Sequence, residues 1–283
     1  MPAAESPLEF PGLTISHELG RGAQGTVFLA YDRDGRPVAL KVLTAGTPEQ
    51  NRLCLRELRI ASVLRHPNIA EFLLAGEDPV PHIVSAYYPE GSVYSRGVLP
   101  PEEAVPIMLG VLDGLAYAHD AHLPDVPLAD GTTRGARGVV HRDLKPQNVL
   151  LAGGVARIAD FGLAKAYELA GWSGNTRTGD LGGSAGFLPR TQLLRYRRVT
   201  PAVDVWAAAA TLYWMLTGHT PRDFPPGCDP VGVVLREDPV RIGARGAVPA
   251  RLAGVVDEAL AEDRVMTVAA FRAALVETGV AGS

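Results

Sequence analysis

The pattern of apolar residues changes near Pro100 and divides the chain into two kinds of structure. Before that point, short runs rich in β-branched and alternating apolar residues are typical of strands, and a helix is predicted to start at Pro48. After it, apolar residues recur at helical spacing, most clearly in residues 104–121 and 203–216. The sequence therefore predicts an α+β fold with two lobes, a small antiparallel sheet with one main helix and a mainly helical second lobe.

Composition argues against several classes of protein. Apolar residues make up 47% of the 283 residues and charged residues 20%, which is typical of a globular rather than a disordered chain. The formal net charge of −4 argues against nucleic-acid binding. The most apolar stretch, residues 203–216, is shorter than the roughly 20 residues that span a bilayer, and residues 1–11 lack a signal-peptide pattern. We therefore expect no membrane segment. Because the two cysteines, Cys54 and Cys228, have no metal-like spacing, we expect reduced thiols in a cytoplasmic protein.

Three glycines, Gly20, Gly22 and Gly25, form a GxGxxG pattern between two predicted strands. A dinucleotide-binding fold requires this pattern to open a helix, whereas here a strand-like run, residues 26–31, follows it. A glycine turn between strands can fold over a triphosphate, because residues without a Cβ let backbone N–H groups approach phosphate oxygens closely. An ordinary glycine-rich hairpin is the alternative that the motif alone leaves open.

Lys41 lies inside an apolar predicted strand, residues 38–43. A buried ammonium is costly unless it is paired, so we expect a carboxylate partner. Glu57, on the predicted helix that follows, is the candidate, and a Lys41–Glu57 pair would hold the ammonium where phosphate oxygens arrive. A solvent-exposed lysine at a strand end is the alternative.

Two segments in the middle of the chain concentrate polar residues between apolar runs. The first reads Val-His-Arg-Asp-Leu-Lys-Pro-Gln-Asn-Val-Leu-Leu over residues 140–151, and the second reads Ala-Asp-Phe-Gly-Leu over residues 159–163. With the glycine turn and the run ending at Lys41, they resemble in order and spacing the motifs of eukaryotic-like (Hanks-type) serine/threonine protein kinases of bacteria. The resemblance extends from about Leu13 to Leu275.

That resemblance implies one protein kinase catalytic domain over residues 1–283. Its N-lobe is expected at about 12–87, its hinge at 88–91 and its C-lobe at about 92–278. The implied reaction transfers the γ-phosphoryl group of ATP to serine or threonine hydroxyls of protein substrates.

The family's chemical roles carry over to four residues of the two central segments. Asp143 is expected to accept or orient the proton of the acceptor hydroxyl, and Lys145 is expected to steady the transferring phosphoryl group. Asn148 and Asp160 are expected to hold Mg²⁺, with Mn²⁺ as the alternative metal. Little covalent chemistry is asked of the protein, so its contribution is positioning and neutralisation of charge.

The resemblance also implies an ATP site made by both lobes. The residues expected to contact the nucleotide are Leu19, Gly20, Gly22, Gly25, Val27, Ala39, Lys41, Ala86, Tyr88 and Leu150. Among them, Ala86 and Tyr88 would meet the adenine edge through backbone groups.

Arg142 directly precedes Asp143, and in the family an arginine here pairs with a phosphorylated residue of the activation segment, which starts at Asp160. We expect autophosphorylation at Thr176 or Thr178, through a transient homodimer, as part of a bacterial signalling pathway. A polar loop whose threonines have no role is the alternative.

The end of the activation segment departs from the family pattern. Pro189-Arg190-Thr191 stands where the family has Ala-Pro-Glu, whose glutamate pairs with an arginine near the last helices. The matching region, residues 261–265, is also shortened, so both halves of that ion pair are altered. This predicts a less rigid floor for substrate binding and leaves the phosphate chemistry unchanged.

An insertion at residues 122–138 is longer than ordinary connections, and Asp130-Gly131 predicts that it forms a small protruding hairpin. His119 and His122 are three residues apart, as metal ligands can be, but no third ligand lies near them in sequence, so a zinc site is not expected.

Two other functions remain open from the sequence. A pseudokinase that binds ATP as a scaffold is one, although such chains usually lose a residue equivalent to Lys41, Asp143, Asn148 or Asp160. A small-molecule kinase is the other, and it is disfavoured by Lys145-Pro146 and by the activation segment.

Overall fold

The computed structural model describes residues 9–22, 25–43, 62–127, 133–161, 184–195 and 199–280. They form two compact units, one built around the strands of the first third and one around the helices of the remainder. The predicted helix that carries Glu57 and the activation segment from residue 162 to 183 lie outside the described residues.

The first unit contains the predicted antiparallel sheet. Its strands are β1 (Thr14–Gly22), β2 (Gly25–Tyr31), β3 (Pro37–Leu43), β4 (Phe72–Gly76) and β5 (His82–Ala86). The order across the sheet is β1-β2-β3-β5-β4, and every pair is antiparallel. One face packs an apolar cluster that consists of Phe10, Ala30, Val38, Leu40 and Val84. Because side chains alternate along a strand, the residues between Val38 and Leu40 and beyond them face the other way.

The second unit is mainly helical, as predicted. Its helices are α1 (Val93–Arg96), α2 (Pro101–Asp120), α3 (Arg190–Leu194), α4 (Ala202–Thr217), α5 (Pro230–Arg236), α6 (Ala250–Ala259) and α7 (Val268–Glu277). Thirteen of the 16 residues of α4 are buried, so this helix is apolar on all sides because other elements surround it. It ends at Gly218, whose φ of 74° is the left-handed conformation that commonly closes a helix.

Two hairpins complete the described part of the second unit. The insertion forms one of them, with β6 (His122–Pro127) paired antiparallel to β7 (Thr133–Arg137), so the predicted hairpin is confirmed. Its predicted turn at Asp130-Gly131 lies outside the described residues. The other hairpin pairs β8 (Val149–Ala152) with β9 (Val155–Ile158) and connects the two polar segments of the sequence.

None of the helices within the described ranges is both long enough and apolar enough to cross a membrane.

Candidate active site

Asp204, in the first turn of α4, holds the backbone of the loop that precedes β8. Its carboxylate is completely buried and accepts hydrogen bonds from the N–H groups of His141, at 2.7 Å, and Arg142, at 2.8 Å. The same carboxylate lies 2.7 Å from Nε2 of His119, at the end of α2. Arg142 has a φ of 69°, a conformation that costs free energy in a residue other than glycine, and the bond to Asp204 stabilises it.

Asp143 and Lys145 lie side by side within this loop. Nζ of Lys145 is 2.9 Å from Oδ2 of Asp143 and 3.1 Å from Oδ1. The same ammonium donates to the hydroxyl of Ser184 at 3.0 Å. The side chains of Asp143 and Lys145 are 20% and 18% exposed, so their charges interact through a medium less polarisable than water while solvent still reaches them.

Ser184 was not among the predicted site residues. It lies 39 positions after Lys145, at the far end of the activation segment, and sequence alone does not show that the chain returns to the loop there. Its position five residues before Pro189-Arg190-Thr191 is the signal that could have identified it.

Asn148 closes the loop and faces Asp143. Its amide nitrogen donates to the backbone oxygen of Asp143 at 2.7 Å and to Oδ2 at 3.3 Å. Because the nitrogen is used in this way, the amide presents Oδ1 as the atom that can bind a cation.

The β8–β9 hairpin brings Asp160 next to Asn148. The N–H of Ala159 donates to the backbone oxygen of Asn148 at 2.8 Å, and the ring of His141 lies 2.8 Å from the oxygen of Ala159. Asp160 follows directly, with a positive φ of 61°. One carboxylate and one amide oxygen suit a hard divalent cation that takes its remaining ligands from phosphate and water. These residues therefore fit the metal that the family implies.

A different kind of metal site finds no support. The described part of the chain has no group of three or more histidine, cysteine, aspartate or glutamate side chains that could hold an ion. His119, the first residue of the His119–His122 pair, contacts the carboxylate of Asp204 instead.

In the sheet unit, three residues predicted to contact the nucleotide share a face of the sheet. Val27 lies opposite Lys41 in the β2–β3 register, and Ala39 precedes Lys41 by two positions. Directly opposed residues and residues two apart point to the same side, so all three lie on the face opposite the apolar cluster. Lys41 also lies opposite Ile83 on the central part of the sheet. Its predicted pairing with Glu57 stays a prediction, since Glu57 lies outside the described residues.

The three glycines of the turn differ in whether the packing of the sheet requires a glycine at their position. A Cβ added to Gly25 would lie 2.1 Å from the backbone oxygen of Val42, and its φ of 144° favours glycine as well. A Cβ at Gly20 or Gly22 would meet no described atom within 4 Å. Strand packing thus explains Gly25, while Gly20 and Gly22, like the half-exposed Leu19, leave room for a ligand above β1.

The remaining predicted adenine contacts are divided between the units. Ala86 ends β5 in the sheet unit, where its N–H donates to the oxygen of Glu71 at 2.9 Å. Tyr88 and Leu150 belong to the helical unit. The guanidinium of Arg157 lies 5.2 Å from the ring centre of Tyr88, and Leu150 forms an isolated bridge with Ser92.

Pro189 directly precedes α3, which begins with Arg190 and Thr191. Because Thr191 carries no charge, it cannot form the ion pair that the family's glutamate forms at this position. Its side chain is exposed, and Arg264, in the matching region near the last helices, instead lies 3.6 Å from Glu258. The stretch is held by other groups, which include a buried pair between Arg222 and Glu262. Thr176 and Thr178, the predicted phosphorylation sites, lie outside the described residues.

Comparison with known proteins identifies the class to which this fold and site belong. The model of the protein kinase domain family matches residues 13–227. The serine/threonine-protein kinase PknB of Mycobacterium leprae is 32% identical over 94% of this chain and 43% of its own length. A probable serine/threonine-protein kinase of Streptomyces coelicolor is 33% identical over 78% of this chain and 32% of its own. The kinase PknL of Mycobacterium tuberculosis is 32% identical over 77% of this chain and 52% of its own.

The chain therefore belongs to the protein kinase family, in the eukaryotic-like serine/threonine class represented by these bacterial relatives. The predicted family and two-lobed fold class are confirmed. The chain spans about half or less of the length of these relatives. Membership in this family implies the use of ATP and a divalent metal ion.

Proposed function

We propose that this domain transfers the γ-phosphoryl group of ATP to serine or threonine hydroxyls of protein substrates. The observation that carries the proposal is the contact of Lys145 with both Asp143 and Ser184 inside a loop fixed by Asp204. This arrangement presents a carboxylate to an incoming hydroxyl and places a cation beside it.

In this proposal Asp143 accepts a hydrogen bond from the acceptor hydroxyl and orients it for attack. It takes the proton as the hydroxyl oxygen bonds to the γ-phosphorus and the bond from that phosphorus to the bridging oxygen breaks, which releases ADP. Lys145 neutralises the negative charge that the transferring phosphoryl group carries. Asn148 fixes Asp143 through two contacts and so keeps the carboxylate in one orientation. The contribution of the protein is positioning and electrostatic stabilisation, as expected for phosphoryl transfer.

Asn148 Oδ1 and Asp160 would hold the divalent cation, with Mg²⁺ as the first candidate and Mn²⁺ as the alternative. When bound, the cation supplies positive charge that neutralises the phosphate oxygens of ATP. Lys41, paired with Glu57, would supply the second cationic contact to those phosphates from the face of β3.

Substitution of Asp143 by Asn tests the proposal. The amide keeps the size of the carboxylate but cannot accept a proton, so transfer to a generic protein acceptor should fall by roughly 10²–10⁴-fold. Nucleotide binding should stay near its original strength, because the aspartate acts on the acceptor. Asp120→Asn is the matched control: it removes the same charge from an exposed ion pair with Arg137, away from the loop. Equal transfer by the Asp143 and Asp120 variants would overturn the proposal.

We also propose that the domain phosphorylates itself at Thr176 or Thr178, in trans, and that this orders the activation segment through Arg142. A cytoplasmic setting fits an enzyme that uses ATP and carries reduced cysteines. Mass spectrometry after incubation with ATP and Mg²⁺ should find phosphate on this segment, with an initial rate per molecule that rises with protein concentration. Phosphate elsewhere alone would contradict the choice of site, and a rate independent of concentration would contradict reaction in trans.

A further inference from the structure

Arg222 is an arginine buried in the helical unit, 1% exposed, and each of its three side-chain nitrogens has an acceptor. Nε donates to the backbone oxygen of Glu237 at 2.8 Å, Nη1 donates to that of Leu188 at 3.1 Å, and Nη2 contacts Oε1 of Glu262. The guanidinium carbon lies 4.9 Å from the ring centre of Trp206, on α4. A planar cation with five donors fits such a site, whereas a lysine could not make these contacts together.

Glu262 connects this arginine to the end of the activation segment. Its Oε1 also accepts the backbone N–H of Arg190 at 3.1 Å. The side chain of Arg190 donates to the backbone oxygen of Val234 at 3.2 Å and to Oδ1 of Asp238 at 3.0 Å. Two cations, Arg190 and Arg222, thus balance two anions, Glu262 and Asp238, in one small region.

Arg222 and Glu262 contact the middle of the stretch 184–192. The two ends of this stretch are held by the loop that carries Asp143, called the catalytic loop from here on. At one end Ser184 accepts from Lys145, and at the other Gln192 donates from Nε2 to the backbone oxygen of Arg142 at 2.9 Å. Between them, Arg222 holds the carbonyl of Leu188, and Glu262 holds the N–H of the residue after Pro189. The stretch 184–192 is therefore attached at four residues, Ser184, Leu188, Arg190 and Gln192.

We propose that Arg222 and Glu262 form a relocated counterpart of the ion pair that this chain has lost at Thr191. The pair positions residues 188–191, the part of the chain that receives the protein substrate, relative to Asp143. This inference rests on the proposed kinase activity. Both are positioning residues, because they act through the backbone of this stretch. The family's pair is absent from the described residues, and in this proposal a buried pair from different positions takes its place. The less rigid floor expected from the sequence stays a prediction, which the exchange measurement below tests.

The energetics of buried charge predict how the pair responds to substitution. Burial lowers the pKa of the Arg222 guanidinium, and the adjacent Glu262 carboxylate opposes that shift. Removal of one partner leaves the other charge buried without its counterion, whereas removal of both leaves no stranded charge. The two substitutions should therefore be strongly non-additive.

The test compares Arg222→Met, Glu262→Gln and the double variant with Arg272→Met, which removes an arginine from a half-exposed ion pair with Asp113. Three quantities are measured: kcat/KM for transfer to a generic protein acceptor, the KM for ATP, and the rate of the slow transfer of phosphate from ATP to water. Each single variant should lose roughly tenfold or more in kcat/KM for the protein acceptor, while the ATP parameters stay within about twofold. The double variant should lose less than the product of the two single losses, because neither charge is left without its partner, and Arg272→Met should match the original chain.

Hydrogen–deuterium exchange gives a second readout that does not depend on activity. The amides of residues 190–192 should exchange at least about tenfold faster in Arg222→Met, while those of His141 and Arg142 stay protected. Unchanged exchange, or a parallel loss of transfer to protein and to water, would overturn the inference. If Arg222→Met does not fold, Glu262→Gln, which keeps the shape of the side chain, carries both measurements. A wild-type chain that transfers phosphate to no protein counts against the proposed function, and the exchange measurement still decides the role of the pair.

Discussion

At the scale of single residues, the hydroxyl of Ser184 links the end of the activation segment to Lys145 and Asp143. The ammonium has three donors, and three acceptor atoms lie within hydrogen-bond distance: both carboxylate oxygens of Asp143 and the hydroxyl of Ser184. Without the hydroxyl, Lys145 keeps its ion pair but loses one of the contacts that orient it. In the proposed reaction, Ser184 would therefore position Lys145 on the side of the acceptor.

We predict that Ser184→Ala lowers kcat for transfer to a protein acceptor by roughly tenfold, the equivalent of one hydrogen bond to a charged group. The KM for ATP should hardly change. Ser184→Thr, which keeps the hydroxyl, should retain most of the activity. Steady-state kinetics with each substrate varied in turn distinguish these outcomes, and an alanine variant with full activity would contradict the assigned role.

The sequence predicted site residues that lie close together along the chain, and it missed contacts between residues that lie far apart. Asp143, Lys145 and Asn148 lie within six positions of each other, so one motif identifies them together. Arg222 and Glu262 are 40 positions apart, and an isolated arginine or glutamate gives no sign that it will be buried. The roles of the predicted site residues remain predictions.

At the scale of elements, α4 serves as the base on which the catalytic loop is built. Asp204 accepts three hydrogen bonds, two from loop N–H groups and one from the ring of His119, and no solvent reaches it. An asparagine has one oxygen in place of two and turns an NH₂ group toward a donor.

Asp204→Asn should lower the free energy of unfolding by about 1–3 kcal/mol for each N–H group that loses its acceptor. Activity should fall at temperatures well below the unfolding transition, because the loop carries Asp143. Asp113→Asn is the control, since its ion pair with Arg272 is half exposed and such pairs contribute about 0–1 kcal/mol. Urea unfolding measures both. Equal stability of the two variants would show that Asp204 is not the anchor.

We expect His66, in the segment before β4, to make the stability of the folded chain depend on pH. Its Nδ1 accepts the N–H of Asn68 at 3.1 Å, and its ring stacks on Tyr117 with centroids 5.0 Å apart. Burial lowers the pKa of His66, while the carboxylate of Asp113 opposes this shift. A protonated Nδ1 could not accept the hydrogen bond, so the folded chain favours neutral His66.

Stability should therefore fall as the pH drops below about 6.5, the ordinary pKa of histidine, because the unfolded chain then binds a proton that the folded chain resists. Above that pH neither state is protonated, and His66 contributes no pH dependence. His66→Gln, which can still accept a hydrogen bond, should flatten the decline between pH 7.5 and pH 5.5 in urea unfolding. An identical decline in both proteins would rule out His66 as its cause.

Helix and strand types were predicted well, and their boundaries less well. The apolar pattern predicts a helix over residues 104–121, but α2 begins at Pro101, because its first turn is polar and shows no periodicity. Pro101 at the first position, with Glu102 and Glu103 after it, is the capping signal that marks the true start. Likewise, the apolar run at residues 69–74 predicts a strand there, but β4 lies at Phe72–Gly76, since Ile69 pairs instead with Ile158 of β9.

For the whole molecule, ligand binding should appear as added stability. A ligand present at 100 times its Kd stabilises the folded state by about 2.7 kcal/mol. We predict that ATP with Mg²⁺ raises the melting temperature, that Asp143→Asn keeps this rise, and that Asp160→Asn loses the part that depends on the metal. Removal of divalent ions with a chelator should reduce the original chain to the behaviour of the Asp160 variant. A rise from ATP that is the same with and without metal would contradict the role given to Asp160.

The β6–β7 hairpin leaves and rejoins the fold at almost the same place. His122 pairs with Arg137, and just beyond them the N–H of Gly138 donates to the oxygen of Ala121 at 2.9 Å. The hairpin therefore does not change the path by which the chain passes from α2 to the catalytic loop. We therefore expect that a foreign sequence, such as a fluorescent reporter or an affinity tag, can replace the outer part of the hairpin without displacing the residues that follow. This hairpin is the natural position at which to label the chain internally.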